Sequence, residues 1–182
     1  MTVLIRDCNF ASLEEALAGK SIPLPVRNTL QLVDLEYAWI DGCVHSGQMV
    51  IAEDLVQDVV EIFPQLLRVR FPIERIVPVV AYGWSDDASM AENNSSCFNW
   101  RNMVGSDQLS LHALGRALDL NPFLNPWVKN GVIIPKGATY DPSVPGTITE
   151  DSEVVRLFEK YGWEWGGRWT SLKDYQHFEK KR

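Results

Sequence analysis

Apolar positions along the chain mark out a small set of elements. Leu55, Val56, Val59, Phe63 and Leu66 recur at helical spacing, with Glu53, Asp54, Gln57, Asp58 and Glu61 mostly on other faces, which predicts an amphipathic helix. Pro64 falls inside that pattern and is expected to kink or end the helix. Upstream, Leu35-Glu36-Tyr37-Ala38-Trp39-Ile40 runs into Asp41-Gly42, a strong turn signal, so a hairpin is expected from Leu35 to Ile51. Ile76–Val80 has strand character, and Pro78 places it at an edge or a bulge. Residues 83–109 are polar and read as loop. Strand character returns over residues 115–120 and stops at Asn121-Pro122, before a long Pro- and Gly-rich connection over 121–148. Val154, Val155, Leu157 and Phe158 predict a last helix, with Gly162 placed to terminate it. Residues 1–30 read as an irregular lead-in with one short helix at Leu13–Ala18.

These strands and helices do not alternate as βαβ units, so an α+β domain is expected. The length of 182 residues suits one domain, with residues 1–34 as a lead-in packed on a domain spanning 35–182. Hydrophobic residues at 46% and charged residues at 23% describe a globular chain and exclude disordered, collagen-like and fibrous classes. The net charge of -7 repels phosphate backbones and anionic lipid, which removes nucleic acid as a general partner. No apolar run approaches the roughly 20 residues of a membrane helix. Asp7 interrupts the apolar start too early for a signal-peptide core, so no export signal is visible. Cys8, Cys43 and Cys97 form no CxxC pair, which argues against a thiolate metal site or a redox dithiol. Three reduced thiols are the simplest reading, and one disulfide with one free thiol is also compatible.

The chain has three histidines, His45, His112 and His177. Asp119 follows His112 by seven positions, with Gly115 between them, and a strand through Ala117 and Asp119 points both side chains to one face. Gly115 lets the chain turn tightly enough to swing the imidazole back toward the carboxylate. With His177 delivered from the C-terminal part, two imidazoles and one carboxylate make the three-ligand set of a catalytic zinc. The spacing alone is equally compatible with histidines hydrogen-bonded in the core or at the surface. Asp174 precedes His177 by three positions, where a carboxylate beside a metal could act as a base. An ion pair with Lys173 or Lys180 is the plainer reading of that aspartate. No GxSxG, HExxH, P-loop or dinucleotide GxGxxG occurs, and Ser110 sits too close to His112 in sequence for a serine triad. His45 reads as structural.

Ser110-x-His112-x-x-Gly115-x-Ala117-x-Asp119 resembles the SxHxxGxAxD motif of the zinc D-Ala-D-Ala carboxypeptidase and L-alanyl-D-glutamate endopeptidase family, the endolysin-like M15 peptidases. Trp163-Glu164-Trp165-Gly166-Gly167-Arg168-Trp169, followed by Asp174-Tyr175-Gln176-His177-Phe178-Glu179, is similar to the family's second motif. Asn94-Ser95-Ser96-Cys97-Phe98-Asn99-Trp100-Arg101 resembles the segment that carries its active-site arginine. The likeness runs in consistent order from about Leu35 to Glu179. It implies that His112, Asp119 and His177 are the ligands of Zn²⁺, and that Asp174 is the catalytic base. It also implies that Arg101 binds the substrate carbonyl or carboxylate, and that Ser110 orients the site from behind. The fold implied is the small α+β zinc domain shared with the Hedgehog signalling domain, built on a central antiparallel sheet.

The activity implied is hydrolysis of peptidoglycan stem peptides, with L-Ala-D-Glu endopeptidase first because the WGG…DYQHFE ending is closest to that subgroup. D-Ala-D-Ala carboxypeptidase or dipeptidase activity is the alternative, and a zinc-containing binding module without turnover is the reading from another class. Asp174 and Arg101 argue against the last, since a degenerate site is expected to lose its base first. A stem peptide is the expected partner of a monomeric chain in the cell envelope or outside the cell. Two positions depart from the family: Arg168 stands where Asp is common, and Cys97 where small residues are common. Arg168 is therefore a candidate for altering substrate charge preference. Trp163, Trp165 and Trp169 could wall the substrate, with core packing expected for two of the three.

Overall fold

The computed structural model describes residues 4–103 and 105–182. The first three residues of the lead-in, and the start of the apolar segment weighed as an export signal, lie outside that set. A long hairpin forms one side of the molecule: β2 (Leu30–Ala38) pairs antiparallel with β3 (Val44–Ala52), from Leu30 opposite Ala52 to Ala38 opposite Val44. The short β1 (Leu4–Arg6) adds to β3 in parallel. The hairpin is longer than the pattern from Leu35 implied, because Leu30 to Asp34 pair as well. The expected boundary at 34/35 thus falls inside a strand. At the turn, Gly42 N–H donates to the Trp39 carbonyl and Cys43 N–H to the Asp41 carboxylate.

The lead-in forms short helices, α1 (Leu13–Ala16), capped by Ser12, and α2 (Leu24–Arg27). It packs on the rest through Phe10, whose N–H donates to Gln48, and through Ala18, whose carbonyl accepts from the Trp84 indole.

Helix α3 (Val56–Arg68) covers the hairpin with Val59, Ile62, Phe63 and Leu66, all buried. Pro64 does not end it. The proline ring lies on the exposed face, and the carbonyl four residues back belongs to Val60, itself 43% exposed, so water can satisfy it. The expected Ile76–Val80 strand is reduced to β4 (Arg75–Ile76), because Pro78 opens a 3₁₀ turn over Val79–Tyr82. The polar stretch after it is not all loop. Ser85 caps α4 (Asp86–Ala91), and β5 (Asn94–Ser95) pairs in parallel with β4.

Strand β6 (Ala117–Asp119) appears where the pattern placed it. The long connection that follows holds a second hairpin, β7 (Trp127–Lys129) and β8 (Val132–Ile134), turning at Asn130-Gly131 with both residues at positive φ. Helix α5 (Glu153–Lys160) ends as predicted: Gly162 takes φ +81°, its N–H donates to the Glu159 carbonyl, and Trp163 N–H donates to Phe158. Then come β9 (Glu164–Trp165), β10 (Lys173–Asp174) and β11 (His177–Glu179).

Among the described residues the strands form three three-stranded sheets and one two-stranded sheet, a small mixed α and β domain. The sheet that matters for the site has the order β6-β11-β9 and is antiparallel throughout. Its inner face joins the main core through Leu118 and Phe178, stacked on Phe158 of α5. Among the described residues, no helix is long and apolar enough to cross a membrane.

Candidate metal centre

The cross-strand pairing of β6 with β11 sets Asp119 directly opposite His177, and Leu118 opposite Phe178. Alternation then decides the faces. Leu118 and Phe178 are fully buried in the core, while Asp119 and His177 share the other side. His112 reaches the same place from a 3₁₀ turn over Leu111–Leu114. Ser110 caps this turn by accepting the His112 N–H at 3.2 Å, and Gly115 closes it at φ +64°. A Cβ on Gly115 would lie 2.6 Å from the backbone nitrogen of Ala52, so no other residue fits between this turn and β3.

The three side chains converge, with one donor atom from each within 4.8 Å of the others. Asp119 Oδ1 lies 3.0 Å from His177 Nδ1, and Asp119 Oδ2 lies 3.2 Å from His112 Nε2. The two ring nitrogens are 3.3 Å apart. Each ring is tied down at its far nitrogen. His112 Nδ1 lies 2.7 Å from the Cys97 carbonyl, which can only accept, so that nitrogen carries the proton and Nε2 turns its lone pair to the cluster. His177 Nε2 lies 3.1 Å from Glu179 Oε2.

Burial alone would raise the Asp119 carboxyl, but the facing imidazoles of His112 and His177 outweigh it and hold the group well below the usual carboxylate range. Burial likewise works against charge on His177, and its hydrogen bonds to Asp119 and Glu179 overcome it and raise the ring to about 10. The pocket therefore selects for positive charge. The donor set fits a zinc ion: two imidazole nitrogens and one carboxylate oxygen are zinc's ordinary ligands. Tetrahedral legs of roughly 2.0–2.1 Å place ligand atoms about 3.3 Å apart, and the two ring nitrogens stand 3.3 Å apart here.

Asp174 stands on β10, which pairs with β7 so that Asp174 faces Trp127. Its Oδ1 is shielded from solvent and has no hydrogen-bond partner. Burial is the largest influence on it and pushes its carboxyl up to about 6, with the charge of Asp119 adding to the rise and both histidines opposing it. Close backbone contact keeps β10 near β11. A Cβ on Gly166 would lie 2.7 Å from the Asp174 carbonyl oxygen and 3.3 Å from the His177 Cβ.

The backbone ties the segment of Arg101 to the turn that carries His112: the Arg101 carbonyl accepts from Ser110 N–H, and two residues earlier Asn99 N–H donates to the His112 carbonyl. The guanidinium is held by Asp86 at 2.9 Å, and its buried Nε has no partner. Asp86 also accepts from the Asn99 side chain. Trp169 lies against His177 with ring centroids 5.3 Å apart, while Trp163 and Trp165 are buried in the core.

Sequence reasoning passed over Asp86 and any role for Glu179. Only Glu179 left a trace, as a carboxylate two residues from His177 on the same strand face. Arg168 directs its guanidinium to Glu150 at 2.6 Å and to Glu159, so its charge is spent within the fold. His45 bridges Asp7 and Asp41, 3.0 Å from each, and stacks on Tyr37. All three cysteines are free. Cys97 is buried, and burial pushes its thiol well above the usual range.

No curated protein and no solved structure shows a significant match to the chain. Residues 104–180 match a family described as D-alanyl-D-alanine carboxypeptidase. That segment carries Ser110, His112, Asp119, Asp174 and His177, and leaves Arg101 just outside it. The part of the chain that supplies the three donor residues is thus similar to the M15 peptidase family.

Proposed function

We propose that the protein is a zinc-dependent peptidase that hydrolyses peptidoglycan stem peptides, with His112, Asp119 and His177 holding the metal. The convergence of three correctly oriented donor atoms beside a shielded carboxylate carries this reading. The bound ion would supply Lewis-acid polarisation of a peptide carbonyl and lower the pKa of water to roughly 7.

The remaining chemistry belongs to side chains. Asp174, with a carboxyl near 6 and a free Oδ1, is ionised often enough at neutral pH to take a proton from the attacking water. It is also basic enough to keep that proton and pass it to the leaving amine. Arg101, with its unpartnered Nε, meets the developing oxyanion or a substrate carboxylate. Ser110 fixes the turn that presents His112. Trp169 offers an apolar wall beside His177.

The same reading extends the architecture to the zinc fold shared with the Hedgehog signalling domain, acting as a monomer in the cell envelope or outside the cell. Within it, the L-Ala-D-Glu bond is the target, on the resemblance of the WGG…DYQHFE ending. Release of terminal D-Ala is the second reading, favoured by the description of the family that residues 104–180 match. Mass spectrometry of purified muropeptides after exposure to zinc-loaded protein, with a chelated control, separates them by fragment mass. Full zinc occupancy with no product from any stem peptide would overturn the peptidase reading in favour of a binding module.

A further inference from the structure

His177 has two ring nitrogens, and only one can serve the cluster. Nδ1 faces Asp119 and His112 at 3.0 and 3.3 Å, which makes it the donor. Nε2 turns the other way, toward Glu179 at 3.1 Å. Histidine and glutamate sit two positions apart on β11, so their side chains rise from the same face of the strand, while Phe178 between them points into the core. Glu179 is only 9% exposed, and its second oxygen is engaged by Lys181 Nζ at 2.9 Å. Hydrogen bonds thus fix the carboxylate at both oxygens.

A carboxylate can only accept at its ionised oxygens, so this geometry keeps a proton on Nε2, and a metal ion has to displace only the Nδ1 proton to take that lone pair. It also opposes Asp119, whose Oδ1 lies 3.0 Å from Nδ1 and would otherwise draw the ring proton to that side. An alternative ring flip would aim carbon, rather than nitrogen, at Asp119.

We infer that Glu179 is a positioning residue of the metal centre, acting through His177 to present Nδ1 as the ligand and to raise its donor strength. The role rests on the proposed assignment of His112, Asp119 and His177 as zinc ligands. It parallels the general dependence of metal-bound imidazoles on a hydrogen-bonded partner at the distal nitrogen.

The test uses full-length protein, zinc itself as the probe, and the variants Glu179→Ala and Glu179→Gln. Zinc affinity measured by competition with a chromophoric chelator should fall about 10- to 100-fold in Glu179→Ala. Glu179→Gln, which keeps an acceptor oxygen but loses the charge, should fall between that variant and wild type. Nitrogen-15 spectra of the imidazoles should show wild-type His177 with its proton on Nε2 and zinc on Nδ1, and Glu179→Ala should lose that single protonated signature. Wild-type affinity in both variants, or zinc bound at Nε2 of His177, would overturn the positioning role alone. Wild-type protein that binds no zinc would overturn the ligand assignment and this role with it.

Discussion

Asp119 and His177 stand directly opposite each other across the β6–β11 ladder, and their side chains meet at 3.0 Å. Backbone pairing therefore sets the distance between two proposed ligands before any metal is involved. Replacing His177→Ala or Asp119→Ala should leave the ladder paired while zinc retention is lost. Hydrolysis should drop more than about 1,000-fold, the equivalent of roughly 4 kcal/mol of transition-state stabilisation. Metal content after gel filtration and product yield by mass spectrometry check both parts, with circular dichroism as the control for folding.

Asp174 should behave differently. It touches neither His112 nor His177 by a hydrogen bond, so Asp174→Asn should keep zinc at the wild-type level. Turnover should fall by about 100- to 10,000-fold, the usual contribution of a positioned acid or base. Parallel measurement of zinc content and kcat tests the pair of expectations. A variant with normal turnover would remove Asp174 from the reaction.

The Gly166-Gly167 step is dictated by space. Gly166 faces the backbone of Asp174, and a Cβ on Gly167 would lie 2.2 Å from the Trp165 ring. Gly166→Ala should push β10 away from the cluster, lowering stability by about 1–3 kcal/mol. Its loss of turnover should exceed what unfolding explains. Chemical denaturation combined with activity at temperatures far below the transition separates the two effects.

Asp86 restrains the guanidinium of Arg101 from α4, and both side chains are about a quarter exposed, at 28% and 26%. A partly exposed ion pair is worth at most about 1 kcal/mol. Asp86→Asn should accordingly raise KM several-fold, up to about fivefold, and leave zinc content unchanged. Steady-state kinetics on a defined stem peptide reads this directly.

Far from the cluster, His45 gives the fold a pH dependence. Burial opposes its charge, but hydrogen bonds to Asp41 and Asp7 prevail and raise its pKa above the ordinary value. A raised histidine pKa contributes stability that is fully present below the unfolded value near 6.5 and is lost as pH rises through the folded value. His45→Gln should therefore destabilise the protein more at pH 5.5 than at pH 8.5. Urea midpoints at the two pH values measure the difference, and equal losses at both would sink the idea.

Much of this architecture was legible in the chain. The apolar period of Val59, Phe63 and Leu66, the Asp41-Gly42 turn and the Gly162 stop each describe a local preference that tertiary packing reinforces. Pro64 misled because its cost depends on which face it occupies, and that is a property of the packed helix. Helix α4 left no periodic signal, since Asp86, Asp87 and Ala88 offer no apolar stripe. The hairpin at Asn130-Gly131 lies in what the pattern marks only as a connection, because its strands are three residues long and expose Val132 and Ile133. In the site, it is the resemblance of the SxHxxGxAxD and DYQHFE segments, rather than spacing alone, that points to His112, Asp119 and His177. Asp86 could not be found that way, because its contact with Arg101 is made across a loop and depends on where α4 docks.

The segment from Ser96 to Arg101 serves several partners at once. Ser96 exchanges backbone hydrogen bonds with Asp119, the Cys97 carbonyl holds His112, Asn99 braces the turn behind it, and Arg101 carries the guanidinium. On the proposed function, metal retention and substrate recognition share one stretch of backbone. A substitution that retunes one will disturb the other, so divergence of specificity along this segment is pleiotropic. The freer routes for an evolving lineage run through side chains that border the cluster without holding it, as Trp169 does beside His177.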